Sequence, residues 1–267
     1  MGCNSVLDSD CALDEVPQHK VQVNAFDMDV TEVSNRALAA FVQAQNNLCA
    51  AGSCVDSSDV ELEIYKPFDD WIPEPGRADH PAVQISWFTA QEYCLWVGKR
   101  LPHEAEWEKA ARGGCDVVGA NCQAETPIFP WGNAEPTCSS AIFNSPFVGC
   151  GTGDKWPVGS ALDGMGPYGT LDLSGNVWEW VGDWYAGDYF CNGANASCLT
   201  GCSDCMGENA WKVPWVMPEG AGTGTHRVVR GGGYFSLADF LRASSRTGYQ
   251  PNVASKDTGF RCAIPIE

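Results

Sequence analysis

Fourteen cysteines stand among 267 residues, and most come in close local pairs: Cys3/Cys11, Cys49/Cys54, Cys115/Cys122, Cys138/Cys150 and the group Cys191, Cys198, Cys202, Cys205. An even count at such spacings in loop-like sequence predicts small disulfide staples formed in an oxidising compartment. Cys94 and Cys262 have no local partner and are expected to pair with each other. Zinc is the competing reading at Cys202-x-x-Cys205, because two thiolates at that spacing supply half of a tetrahedral site and Cys191 with Cys198 could supply the rest. No histidine lies near, and the acidic context favours disulfides. Thioredoxin-like redox chemistry would need a βαβ pattern around the pair, which is missing.

The 29 glycines and 16 prolines interrupt helices and strands often and predict much irregular backbone. Eleven Trp, eleven Phe and seven Tyr nevertheless give bulk enough for a core. A formal charge of −18 argues against nucleic acid, whose phosphates would repel the chain. It suits a soluble acidic surface and, secondarily, cation binding. No run of apolar residues is long enough to span a bilayer. Met1-Gly2-Cys3 is not preceded by a charged and apolar leader, so no signal peptide is visible, and the requirements of a myristoylation signal fail at Val6.

Alternation over 20–30 predicts a strand, followed by a helix capped by Ser34 or Asn35 and running through Val42. Residues 48–79 lack periodicity and read as a long surface insertion. Further helices are expected over 87–97, with Ala90, Cys94 and Val97 on one face, and over 104–112. In the latter, Glu104 and Glu108 share a face while Glu106 points elsewhere, so the three acids are read as answering the helix dipole rather than as a catalytic cluster. His19, His80, His103 and His226 lie far apart at no metal-ligand spacing, and no strained G-x-S-x-G turn marks a nucleophile.

Five ordered blocks carry a family resemblance: FDMDVTEVSN (26–35), HPAVQISWFTAQEYCLWVGKRLPHEAEWEKAARGG (80–114), FPWGN (129–133), YGTLDLSGNVWEWVGDWY (168–185) and RVVRGG…LRASSR…GFRCA (227–263). By these the chain is identified as a member of the sulfatase-modifying factor (formylglycine-generating enzyme) family, as one domain over 1–267. The resemblance implies an α+β fold, the formylglycine-generating-enzyme variant of the C-type-lectin fold, low in regular secondary structure and stapled by disulfides. It also makes Met1 an internal or truncated start, since a Met-Gly step usually follows a first strand in this family.

Active members of the family hold copper(I) on two thiolates five residues apart. Here the first position falls at Ser236 and the second near Phe240 or Leu241, and Gly233 replaces the usual serine after Gly-Gly. A hydroxyl and an apolar side chain cannot replace a soft dithiolate, so copper is not expected. The resemblance further implies a calcium loop with a side-chain oxygen from Asp172, which stands where the family often has Asn, carbonyls of Gly175 and Val177, and the carboxylate of Glu179, with Glu32 assisting. Calcium favours such mixed oxygen sets. Glu179 as a metal-free hydrogen-bond anchor is the competing reading. Trp178 and Trp180 alternate with Glu179 and point away from it. A ligand groove is expected from Trp178, Gly233, Tyr234, Ser236, Arg242 and Arg246, although the arginines are more simply read as scaffold partners of Asp239 or Asp257. These expectations describe an exported monomer that uses this groove, or the insertion at 48–79, to bind a peptide, glycan or protein without catalysis. The alternative is a sulfatase-modifying or protein-oxidising enzyme that uses residues not identified in the sequence or draws thiols from the 191–205 group.

Overall fold

The computed structural model describes residues 1–16, 18, 19, 21–119, 121–144, 150, 153–187 and 224–266. Within them the chain forms β1 (Phe26–Met28), α1 (Asn35–Ala44), β2 (Leu48–Cys49), β3 (Gly52–Ser53), β4 (Ile64–Tyr65), β5 (Ile72–Pro73), α2 (Trp87–Trp96), α3 (Glu104–Arg112), and two single turns, α4 (Cys115–Val118) and α5 (Cys122–Glu125). The later strands are β6 (Trp178–Trp184), β7 (Arg227–Arg230), β8 (Arg246–Tyr249), β9 (Thr258–Phe260) and β10 (Ala263–Pro265). This is an α+β architecture with short elements.

Local chemistry sets the helix starts. Ser34 and Ser86 sit in extended conformation, and their hydroxyl oxygens accept from the amides of Ala37 and Thr89, satisfying donors that an opening turn leaves free. At α3 the Glu106 carboxylate accepts from the His103 amide at 2.8 Å. That helix stops at Gly113, whose φ of +83° would strain any side chain. Helix α2 ends one residue earlier than its pattern suggests, and Val97 lies beyond it, 39% exposed. The strand expected over 20–30 shrinks to Phe26–Met28, which pairs with the three residues of β10, its only ladder partner among the described residues.

A four-stranded sheet in the order β8-β7-β6-β9 forms the centre. Strand β6 runs antiparallel to β7 and parallel to β9. Against it packs the main apolar cluster, including Trp178, Trp180, Val229 and Phe260 of the sheet, Leu38, Phe41 and Val42 of α1, and Ala90 and Tyr93 of α2. Residues 48–79 correct the surface-insertion expectation. They form two small hairpins, and Cys54, Val55, Leu62, Ile64 and Trp71 are buried in this same cluster. The apolar residues there follow no fixed period because two-residue strands are too short to show one.

Disulfides join Cys3–Cys11, Cys49–Cys54, Cys94–Cys262, Cys115–Cys122 and Cys138–Cys150, so all ten cysteines among the described residues are bonded. The Cys94–Cys262 bond ties α2 to the end of the sheet across 168 residues. Cys191, Cys198, Cys202 and Cys205 lie outside the described residues. This many disulfides indicates an extracytoplasmic location. No helix among the described residues is long and apolar enough to cross a membrane.

Candidate functional site

Three buried carboxylates gather where the loop 171–177 feeds β6. Alternation along the strand sends Trp178 and Trp180 into the main core and Glu179 to the other face, where it is fully buried. Both Glu179 oxygens are occupied. Arg261 donates to them from Nε (3.0 and 2.8 Å) and from one terminal nitrogen (2.7 Å), and Trp107 Nε1 donates at 2.8 Å. Arg261 spends its remaining donors on the carbonyls of Asp29, Val30 and Leu171. Burial, the largest single cause, pulls the Arg261 pKa down, but the charge and hydrogen bonds of Glu179 together with the charges of Glu32 and Asp172 outweigh it and leave it raised. Both oxygens of Glu179 are thus engaged by Arg261 and Trp107.

Glu32 and Asp172 are the other two acids, each 3% exposed. Glu32 Oε1 accepts from Asn176 Nδ2 at 3.0 Å, and Glu32 Oε2 has no partner. Asp172 accepts from the Gly159 amide. Burial raises both carboxyls above their ordinary range, Glu32 strongly so, with the Asp172 charge as the next cause and Arg261 opposing. One arginine faces three buried acids, so the ionised set carries excess negative charge; the raised carboxyls relieve it by holding a proton, and a hard cation would relieve it in the same way. The three do not converge within 4.8 Å of one another; among the described residues only Cys3, Asp8 and Cys11 do so, and those two cysteines are bonded together.

The loop's path explains its residue choice. Asp172 and Asn176 both have positive φ, +58° and +61°, and Gly175 lies at +88° where an added Cβ would sit 2.5 Å from the Ile142 carbonyl oxygen. Asp and Asn tolerate this region better than other side chains, and the close approach admits only glycine. Asn176 is fully used: its amide donates to Ile142, its carbonyl accepts from Tyr234 and its Oδ1 accepts from Trp156.

Tyr234 leads from this loop to the positions where the resemblance places thiols. Residues 233–236 form a tight turn in which the Ser236 amide donates to the Gly233 carbonyl and the Ser236 hydroxyl accepts from the Gly233 amide at 2.9 Å. Leu241 is fully buried, while Phe240 is 47% exposed with its ring edge-on to Trp178 at 6.0 Å. Gly233 is buried, and a Cβ there would lie 3.4 Å from the Trp178 ring. Tyr234 is buried against Phe235, with the Lys155 ammonium 5.9 Å from its ring. Burial, then Asp154 and Asp257, raise its phenol pKa. The surface left here is an apolar shelf of Phe235, Leu237 and Phe240, each about half exposed.

The two arginines expected in the groove are not on that shelf. Arg242 pairs with Glu15 at 2.5 and 2.8 Å and with Asp8 at 3.1 Å. Arg246 grips Glu104 at 2.7 and 2.9 Å. Neither pairs with the Asp239 or Asp257 carboxylate: Arg242 reaches only the Asp239 backbone carbonyl. Long-range partners win because a buried guanidinium needs a carboxylate in bidentate reach, and α3 presents Glu104 to Arg246 while the short turn Leu13–Glu15, just past the Cys3–Cys11 loop, presents Glu15 to Arg242. The dipole reading of α3 is extended rather than replaced: Glu104 and Glu106 sit in the first turn, and Glu106 accepts from the His103 amide. Glu104, Glu106 and Glu108 are all buried and pair with Arg246, Arg100 and Arg230. Burial alone would raise Glu108, but its cationic neighbours, Arg112 foremost, bring it down to about 2. Arg261 and Trp107 were missed as site residues, although a lone arginine in the GFRC stretch beside an apolar strand signalled a buried acid partner.

The model of the sulfatase-modifying factor enzyme 1-like domain matches residues 1–266. The formylglycine-generating enzyme of Streptomyces coelicolor is 32% identical over 280 residues, covering 93% of this chain and 81% of that protein. Serine/threonine-protein kinase pkn1 of Chlamydia caviae is 32% identical over 260 residues, which are 95% of this chain and 35% of the kinase. PvdO from Pseudomonas aeruginosa superposes with a TM-score of 0.65 over 96% of this chain and 87% of its own, at 23% identity. That likeness shows a shared α+β, C-type-lectin-like fold.

Proposed function

We propose that this chain, which belongs to the sulfatase-modifying factor enzyme 1-like domain family, is a calcium-braced binding module that does not carry out the family's copper-dependent oxidation of a protein cysteine to formylglycine. One observation carries this reading. The first thiol position is a serine whose hydroxyl is held by the Gly233 amide, and the second is a buried leucine or a phenylalanine packed on Trp178. These groups do not fit copper(I), which needs two soft anionic ligands. What remains is the shelf of Phe235, Leu237 and Phe240 above Trp178 and Tyr234, a surface suited to apolar side chains of a peptide or protein, or to a sugar face.

Calcium fits a narrower set than the loop pattern suggests. Glu32, with its unpartnered oxygen, and Asp172 would hold it, with the carbonyls of Gly175 and Val177 completing an oxygen shell. Glu179 would act through Arg261 instead, keeping that cation fixed beside the acids. Bound there, calcium would supply charge neutralisation and brace the loop that carries Tyr234. The module works outside the cytoplasm, as a secreted, periplasmic or surface protein.

The enzyme alternative, where it works through thiols, draws them from Cys191, Cys198, Cys202 and Cys205. Peptide mapping of the native, unreduced protein after alkylation separates the two readings. All four cysteines recovered in disulfides support the module; two of them alkylated as free thiols would support the enzyme.

A further inference from the structure

We propose that the hairpin of β4 and β5 is a docking arm for a cationic partner protein, taken as an extended segment that alternates basic and apolar side chains. Tyr65 and Ile72 face each other in register across the two strands, and both are exposed, at 36% and 38%. Their neighbours Ile64 and Trp71 go the other way, into the core, at 2% and 8%. The Trp71 amide donates to Gln43 Oε1 of α1, so the base of the arm is fixed. Phe68 in the connecting loop is 89% exposed, and Val60 in the approach to the hairpin is 95% exposed. A rigid base presenting Tyr65, Ile72 and Phe68 to solvent is a face built for contact.

Charge selects the occupant. Glu61, Asp69, Asp70 and Glu74 flank the apolar residues and belong to no ion pair among the described residues, whereas Lys66 is the only basic residue from 56 to 74. A second copy of this chain would bring the same acidic arm and a net charge of −18, so self-association is opposed. Nucleic acid and anionic bilayers are opposed by the same sign. A cationic strand is attracted, and with period-two alternation it lays its apolar side chains on Tyr65 and Ile72 and its basic ones toward Asp69, Asp70 and Glu61. This surface is separate from the Phe235–Phe240 shelf, and the proposal stands whether or not that shelf binds anything.

The probes are two labelled peptides, one alternating lysine with valine and one alternating glutamate with valine, titrated against the whole protein by fluorescence anisotropy. The lysine peptide is expected to bind and the glutamate peptide not. Phe68→Ser with Tyr65→Thr, and separately Asp69→Asn with Asp70→Asn, should each weaken binding by about tenfold. The control pair Glu135→Gln with Asp163→Asn removes the same charge elsewhere on the exposed surface and should change little. All these side chains are exposed, and unchanged thermal melts confirm that the variants fold. No binding of the lysine peptide, equal binding of the glutamate peptide, or equal losses in the arm and control variants would overturn the proposal. So would a dimer that Phe68→Ser dissolves.

Discussion

Replacing Glu32 by glutamine should have opposite effects with and without calcium. In chelator, wild-type Glu32 is a buried carboxyl with one unpartnered oxygen and Asp172 close enough to raise its pKa. An unsatisfied buried polar atom costs about 1–3 kcal/mol. Glutamine removes the charge and turns that atom into a donor facing an acceptor-rich site. The variant should therefore be more stable than wild type in chelator, by about 2 kcal/mol or roughly 5 °C in melting temperature for a chain near this size. With calcium at a hundredfold excess over its dissociation constant, wild type gains about 2.7 kcal/mol, and the variant, lacking an anionic ligand, gains little. The order of stabilities then reverses or closes. The pH dependence has a definite sign. A carboxyl raised in the folded state contributes stability that is full below its unfolded value near 4.5 and is lost as pH rises through the folded value. The wild-type minus variant difference in chelator should consequently fall from pH 4.5 upward. Differential scanning calorimetry in both media is the assay. A variant less stable than wild type in chelator, or one keeping the full calcium shift, would refute the reasoning.

Glu179→Gln should cost about 3–5 kcal/mol in urea melts, because it strands the buried Arg261 cation, and adding Arg261→Met should recover part of that loss. Glu108→Gln removes a carboxylate lowered from 4.5 to about 2, worth about 3 kcal/mol at neutral pH. That stability is present above 4.5 and is lost as pH falls toward 2, so the variant's acid limb should be flatter in a pH series of melts. Cys94→Ser with Cys262→Ser opens a loop of 168 residues and should cost about 5 kcal/mol by the chain-entropy estimate, read from the urea midpoint of the double variant.

What was legible in the sequence follows the range of the interactions. The α1 cap at Ser34, the span of α3 over 104–112 and the turn-prone Asp172–Asn176 loop are local, written in residues a few positions apart. Partner choice was not legible. Arg242 pairs with Glu15 and Asp8, and Arg246 with Glu104, across sequence distances of 227, 234 and 142 residues, and nothing near the arginines names those acids. The Asp239 and Asp257 alternatives were nearer along the chain, but Arg242 takes only the Asp239 backbone carbonyl and gives its terminal nitrogens to Glu15 and Asp8. Residues 48–79 misled for a related reason: Val55, Leu62, Ile64 and Trp71 enter the core singly from hairpins too short to carry a period. At the candidate metal loop the residues were identifiable, but that Glu179 gives both oxygens to Arg261 and Trp107 depends on how β9 and α3 meet β6.

The most direct test of the central reading is aldehyde formation by the wild-type protein, loaded with copper and supplied with oxygen, on a peptide containing Cys-x-Pro-x-Arg. Ser236, Phe240 and Leu241 provide no thiolate, and Ser236→Cys alone would provide one where two are needed. Mass spectrometry of the peptide should therefore show no conversion above a no-enzyme control for either protein. Conversion by wild type would contradict the account and direct attention to Cys191, Cys198, Cys202 and Cys205.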